Sequence, residues 1–213
     1  MRSSIRTPRS RQRGFTLLEM IVVLAVIGIL LLIGIPRLLQ VTYRYRFTAT
    51  SRELATLMRV VRIESIRRSL PAGLWYDAAT NTFTAFLDSN RNDAYDPGVD
   101  RQIGPPYLLP QGVFLWGPTD SDPASTHAIQ GWNDNPPASP PPHPGPMFQT
   151  DGSVQRLGAF RLKDNGAPAS ANYLEVRIDN LGTGHVSIQK WFGGGDPDAE
   201  WWEDGEQGHR WIW

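Results

Sequence analysis

The feature that most constrains this chain is an unbroken apolar run, Phe15 to Ile35, whose only charged residue is Glu19. As a helix, 21 residues rise about 31 Å, enough to cross the hydrocarbon core of a bilayer. Basic residues flank the run on both sides. Arg2, Arg6, Arg9, Arg11 and Arg13 precede it, and Arg37, Arg44, Arg46, Arg52, Arg59, Arg62, Arg67 and Arg68 follow it against only Glu53 and Glu64. The basic leader argues for a cytoplasmic N-terminus, although the arginines beyond the run weaken that asymmetry. Residues 1–14 are Ser/Arg-rich with no apolar face, and the sequence predicts no regular structure there. A secretory signal would carry a shorter apolar region followed by a small-residue cleavage site. Here the small residue, Gly14, comes before the run, and Ile33-Gly34-Ile35-Pro36 does not form such a site. On length and charge alone a plain signal anchor fits equally well.

Glu19 separates the two readings. A carboxylate inside an apolar helix costs roughly 2.5–3.5 kcal/mol on insertion scales, so an intramembrane acid points to function. The stretch Arg13-Gly14-Phe15-Thr16-Leu17-Leu18-Glu19-Met20-Ile21-Val22-Val23 resembles the processing site of type IV prepilins. The resemblance implies a dedicated membrane peptidase that cuts after Gly14 and methylates the new amino terminus at Phe15. It also implies that Glu19 pairs with such an amine, usually that of a neighbouring subunit. The physics agrees, because two buried charges that neutralise each other avoid most of the desolvation cost that either bears alone.

Pro36 ends the apolar run. A proline inside a helix removes a backbone hydrogen bond and kinks or opens it, the alternative being a helix stop at the membrane surface. Beyond it Phe47, Leu54, Met58 and Val61 recur near the helical period, with Leu57 and Val60 widening the stripe. This predicts a membrane half over 15–36 and an amphipathic half over 37–69, ended by Leu70-Pro71.

After Pro71 short β-like runs alternate with turns. Leu74-Trp75-Tyr76 and Thr82 to Leu87 read as a hairpin, Val113 to Trp116 and Phe160-Arg161-Leu162 as strands, and Tyr173 to Ile178 with His185 to Lys190 as a second hairpin. The fold class is therefore α+β, a long helix packed on an antiparallel β head spanning 70–190. Within 117–146, residues 118 to 146 hold nine of the eighteen prolines and read as an extended surface insertion. Residues 191–213 form a tail rich in tryptophan and acids.

The head resembles the GspH/FimT family of minor pseudopilins and minor pilins. Three stretches carry this: Arg59 to Leu70, Ala85 to Asp96, and Met147-Phe148-Gln149-Thr150-Asp151-Gly152-Ser153-Val154. The resemblance implies the long-stemmed lollipop of pilins and a structural subunit of a periplasmic fibre. The first reading is a minor pseudopilin of a type II secretion system. The alternative is a type IV pilus minor pilin, FimT- or FimU-like, with DNA uptake a further option. It implies other pilins or pseudopilins, the prepilin peptidase and inner-membrane lipid as partners. The anchor would be single-pass, with the head periplasmic and extracted into the fibre.

Residues able to carry chemistry are few. Asp88, Asn90, Asn92 and Asp96 place oxygens at alternate positions and invite a calcium reading, but Asp93 and Val99 stand where a calcium loop needs Gly and a bidentate Glu. Asx side chains also bond their own turn backbone, which explains the cluster without an ion. His127, His143, His185 and His209 have no partner at ligand spacing, no activated-serine motif occurs, and the chain has no cysteine. No cofactor, small-molecule substrate or enzymatic activity is implied. Beyond residue 68 eight Lys/Arg face eighteen Asp/Glu, a formal charge of about minus ten that argues against nucleic acid as a partner. The tail holds five of the eight tryptophans. Trp201, Trp202, Trp211 and Trp213 either contact a partner subunit or fold back over the head's own sheet edge.

Overall fold

The computed structural model describes residues 15–118, 128–132, 145–164, 171–194, 196 and 198–211, with only the backbone at 36, 37, 39 and 40. The chain forms two compact units, one ending at Val41 and one beginning at Thr42. The first unit is helical. Helix α1 spans Leu17–Arg68, and its Leu17–Ile35 stretch is long and apolar enough to cross a membrane, with none of it buried in the protein. The helix does not stop at Pro36, so Pro36 lies inside it and supplies no N–H to the carbonyl one turn back.

The second unit has α1 residues on one side and two antiparallel sheets. Strand β1 (Ala72–Asp77) pairs with β2 (Thr82–Leu87) in register Ala72 to Leu87, and β3 (Arg101–Gln102) and β4 (Tyr107–Leu108) also pair with β2. The other sheet contains β5 (Phe114–Leu115), β6 (Ile129–Gln130), β8 (Gly158–Lys163), β9 (Tyr173–Asn180), β10 (His185–Trp191) and β11 (Trp201–Trp202). Its order is β11-β10-β9-β8-β5 with β6 also on β8, while β7 (Met147–Phe148) pairs with β1 in the first sheet. The class is α+β, as the sequence predicts.

The core follows from the alternation of the strands. Phe160 and Leu162 of β8, Leu174, Val176 and Ile178 of β9 and Val186 of β10 turn one face toward Phe47, Leu54, Met58 and Val61 of α1. Phe83 of β2 meets Phe160 of β8 edge-on at 4.9 Å, so an aromatic pair joins the two sheets. The helix stripe differs from expectation on one flank. Leu57 is half-buried and Val60 is 40% exposed, whereas Thr50, Ser51, Ala55 and Ser65 are buried. Small residues let the helix approach the sheets closely. The hydroxyls of Thr50, Ser51 and Ser65 are satisfied by helix carbonyls three or four residues back, at 2.7–2.9 Å, so their burial leaves no donor unpaired.

Two arginines fasten the helix to the head. Arg59 donates to the Val186 carbonyl at 2.9 Å and Arg62 to the Gly152 carbonyl at 3.1 Å. Gly152 has φ +81, and a Cβ there would meet Ile66 at 2.7 Å, so this turn needs glycine both for its backbone and for the helix to pass over it. In the first hairpin, Tyr76 donates to Asn81 Oδ1 at 2.7 Å, and its phenol is pushed up to about 12 by burial and then by the neighbouring Asp77 charge. A folded value above the unfolded one of about 10 means that its contribution to stability is complete below pH 10 and is lost as pH rises toward 12. Burial, and then the Glu53 charge, pushes the Tyr107 phenol up to about 12 as well, so ultraviolet titration is expected to show a phenolate class near 12 that Tyr76→Phe diminishes and that Tyr76→Phe with Tyr107→Phe removes.

Candidate functional site

At the start of α1 the chain builds its own cap. Thr16 Oγ1 accepts the Glu19 N–H at 3.2 Å, and Thr16 O accepts the Met20 N–H at 3.2 Å. Thr16 and Glu19 thus stand at the two ends of an S/T-x-x-E capping pattern, and the acid in the first turn also favours the helix dipole. That pattern is legible in the sequence but does not announce itself beside the processing-site resemblance. Phe15 and Glu19 are both exposed and have no partner among the described residues other than this cap. Gly14 lies outside the described residues. So does the leader, and the side chain of Pro36 is likewise not described.

The loop carrying the calcium candidates is built from carboxylate-to-backbone bonds. Asp88 is buried and accepts the N–H groups of Asn92 at 3.3 Å and Asp93 at 2.8 Å. Asp100, also buried, accepts those of Ser89 at 2.8 Å and Asp96 at 2.7 Å. Asn90 and Asn92 each donate a side-chain amide to Asp96 Oδ2 at 2.7 Å. The oxygens are therefore spent on the turn, and among the described residues no His/Cys/Asp/Glu group is arranged to hold a metal. Burial pushes the Asp88 carboxyl up from its ordinary range, against the backbone N–H groups that hold it down. This arrangement orders a loop.

The two described histidines do not converge. His185 faces Asp179 at 3.1 Å on the surface of the second hairpin, while His209 stacks on Trp202 with centroids 5.0 Å apart. His127 and His143 lie outside the described residues, as do 119–127 and 133–144 of the Pro-rich insertion.

The tail is part of the head. Strand β11 pairs antiparallel with the end of β10, Trp201 opposite Trp191 and Trp202 opposite Lys190, and Phe192 N–H donates to Glu200 O at 3.0 Å. Trp201 is buried, with the Arg161 guanidinium 4.9 Å from its ring centroid. Trp211 packs against the core and donates its indole N–H to Trp202 O at 3.2 Å. This corrects the reading of Trp201 as a partner contact. Its ring already covers the head's own sheet, and Trp202 and Trp211 are half-buried beside it. Trp213 lies outside the described residues.

Beneath the tail lies an ion-pair network that the sequence does not announce. Arg161 of β8, 1% exposed, donates to Glu175 Oε2 at 3.1 Å, and lies 2.8 Å from Asp198 Oδ1 in the tail and 3.0 Å from Gln130 Oε1. Glu175 is wholly buried and also takes Arg177 at 3.0 Å. Burial pushes the Glu175 carboxyl up, while Arg161 and then Arg177 pull it down. In the strand alternation these residues occupy the side away from α1, which reads as a solvent face. The tail turns that face into an interior one, and the arginine fork satisfies the buried acid.

Residues 9–35 match the family model described as the prokaryotic N-terminal methylation motif. Pilin-like protein PilA1 of Thermus thermophilus is 38% identical over 90 residues, which is 42% of this chain and 56% of that relative. The match thus spans little more than half of that protein's length. Among solved structures, the type IV minor pilin FimU of Pseudomonas aeruginosa aligns with a TM-score of 0.39 at 10% identity, over 69% of this chain and 90% of that one. Residues 9–35 thus carry the prokaryotic N-terminal methylation motif, and part of the chain is similar to a pilin-like protein.

Proposed function

We propose that this chain, whose N-terminal segment is that of a type IV pilin-like protein, is a minor subunit of a type IV pilus-like fibre. The observation that carries the reading is the methylation motif over residues 9–35, running into a helix whose 19-residue stretch Leu17–Ile35, charged only at Glu19, is unburied within the protein. A surface of that kind is stable only in lipid or against other helices of its kind. In this reading the leader stays cytoplasmic, the peptidase cuts between Gly14 and Phe15, and the helix anchors the chain in the inner membrane with a periplasmic head. Assembly then exchanges lipid for neighbouring subunits. The protein's work is packing rather than chemistry.

The resemblance in sequence puts the type II pseudopilus first. The PilA1 relative is a pilin-like protein, and it supports the pilus alternative at least as well. Nothing beyond the N-terminus shared by both systems favours secretion. DNA uptake finds no support in the charge of the head, which remains about minus ten beyond residue 68.

Intact-mass analysis of the chain from cells with and without the prepilin peptidase tests the reading. The expected mature form begins at methylated Phe15 only where the peptidase is present, and it appears in sheared fibre material. A chain that keeps its leader, or that is cut elsewhere, overturns the assignment.

A further inference from the structure

Among the described residues, no other element covers the face of α1 that points away from the sheets, and it is not an ordinary solvated face. Tyr45, Arg52, Thr56, Ile63 and Arg67 follow one another at helical spacing, all exposed, with Val60 beside them. Tyr45 is 75% exposed and Ile63 59%. Between Thr42 and Arg68 the helix carries seven arginines, Arg44, Arg46, Arg52, Arg59, Arg62, Arg67 and Arg68, against Glu53 and Glu64, a formal charge of plus five. Arg52 has no ion pair among the described residues, whereas Arg67 shares Glu64 with Arg68.

The opposite charge lies on the outside of the tail. Glu200, Glu203, Asp204 and Glu206 fall within seven residues, all exposed, and none has an ion-pair partner among the described residues. They are held in place. β11 and the Trp211 contact tie down the segment, a 3₁₀ turn covers Glu206–Gly208, and the Glu206 carboxylate accepts the Glu203 N–H at 3.1 Å. The charge is thus presented on a pre-ordered surface, which lowers the entropy cost of binding.

We propose that the outward face of α1, centred on Arg52, Ile63 and Arg67, docks the acidic tail turn of a second copy of this chain. The proposal rests on the fibre reading, in which two copies of this chain adjoin: two different patches that complement each other give a head-to-tail contact, which joins one copy to the next without a closed, symmetric dimer. Ile63 and Val60 give the contact an apolar centre, and the arginines around them set its register and speed encounter.

The chain has no cysteine, so two single probes report the contact directly. Full-length Ile63→Cys and Gln207→Cys chains are mixed in nonionic detergent micelles and oxidised. A mixed 63–207 disulfide is expected, at a yield that falls as salt rises to about 0.5 M, where the screening length is about 4 Å. Adding Arg52→Glu and Arg67→Glu to the Ile63→Cys chain should lower that yield at least about fivefold, since each surface pair contributes up to about 1 kcal/mol and reversal makes it repulsive. Adding Glu203→Arg to the other chain, which leaves the Glu206 carboxylate on the residue 203 N–H, should restore part of it, which a misfolded variant cannot do. Yield indifferent to the reversal, or 63–63 disulfides in its place, overturns the proposal. So does an absent mixed disulfide combined with binding to phosphatidylglycerol vesicles that the reversal abolishes, which would make the face a lipid surface. The fibre reading fails separately, if the unmodified chain is never processed at Phe15. A chain that is processed and fibre-borne without the mixed disulfide refutes the docking alone.

Discussion

Arg161→Ala is expected to lower the unfolding free energy of the head by about 3–5 kcal/mol, because it leaves a buried acid short of its main partner. Glu175 is fully buried and would keep only Arg177, whose side chain is 34% exposed. The same truncation removes the cation from over Trp201 and the 2.8 Å anchor of Asp198, so it also unties the tail from the sheet. For a domain of this size the loss corresponds to a fall in melting temperature of about 6–20 °C. Arg161→Lys should fall between the two, since a lysine keeps the charge but not the fork that reaches Glu175, Asp198 and Gln130 together. Differential scanning calorimetry measures the first effect. Hydrogen exchange at the Phe192 amide, which donates to Glu200 O across β10 and β11, measures the second. A variant that melts within a degree or two of the parent would mean that the network contributes little. A variant that melts early with the Phe192 amide still protected would mean that the tail is held by its tryptophans alone.

The same residues show where sequence reading ends. The apolar run and the two long hairpins were legible because their signals are local: an unbroken stretch of helix length, and period-two alternation either side of turn residues. In Phe160-Arg161-Leu162-Lys163 and Leu174-Glu175-Val176-Arg177 that alternation correctly puts the apolar side toward α1. It also implies that Arg161 and Glu175 face water, and here a segment more than twenty residues further along the chain intervenes. Nothing near β8 or β9 encodes the arrival of Trp201 and Asp198. The two-residue strands β3, β4, β6, β7 and β11 escape for a related reason, since their extended form is set by the strand they pair with rather than by their own composition. On α1 the period was right and the flank was wrong: Leu57 and Val60 outrank Thr50, Ser51 and Ser65 in hydrophobicity. The hydroxyls nevertheless go inside, because the helix supplies their acceptors. At the N-terminus Thr16 has the signature of a cap, and its role follows from spacing alone once the helix start is known.

Glu19→Gln is expected to leave the chain in the membrane and to remove it from the fibre. The substitution keeps the shape of the side chain and takes away its charge, so insertion of the apolar helix should hold or improve. In the assembly we propose, a neighbour's methylated Phe15 amine then has no counter-charge in an apolar setting. Breaking a buried pair by removing one partner costs about 3–5 kcal/mol, which corresponds to a fall of about a hundredfold or more in the incorporated fraction. The cap complicates a simple reading, because Glu19 also sits in the first turn, where an acid favours the helix by about 0.3–1 kcal/mol. Thr16→Ala separates the two contributions. It removes the hydroxyl that accepts the Glu19 N–H, at a cost of about 1 kcal/mol, and leaves the carboxylate in place. Tagged chains are quantified in the sheared-fibre and membrane fractions of the same cells. Thr16→Ala should shift that ratio by less than about tenfold, as its cost dictates, and Glu19→Gln should empty the fibre fraction. If both variants lower incorporation alike, Glu19 acts through the helix end and not through a charge pair. If Glu19→Gln enters the fibre as well as the parent, the carboxylate has no assembly role in this protein, and the desolvation cost of carrying it across the membrane needs another explanation.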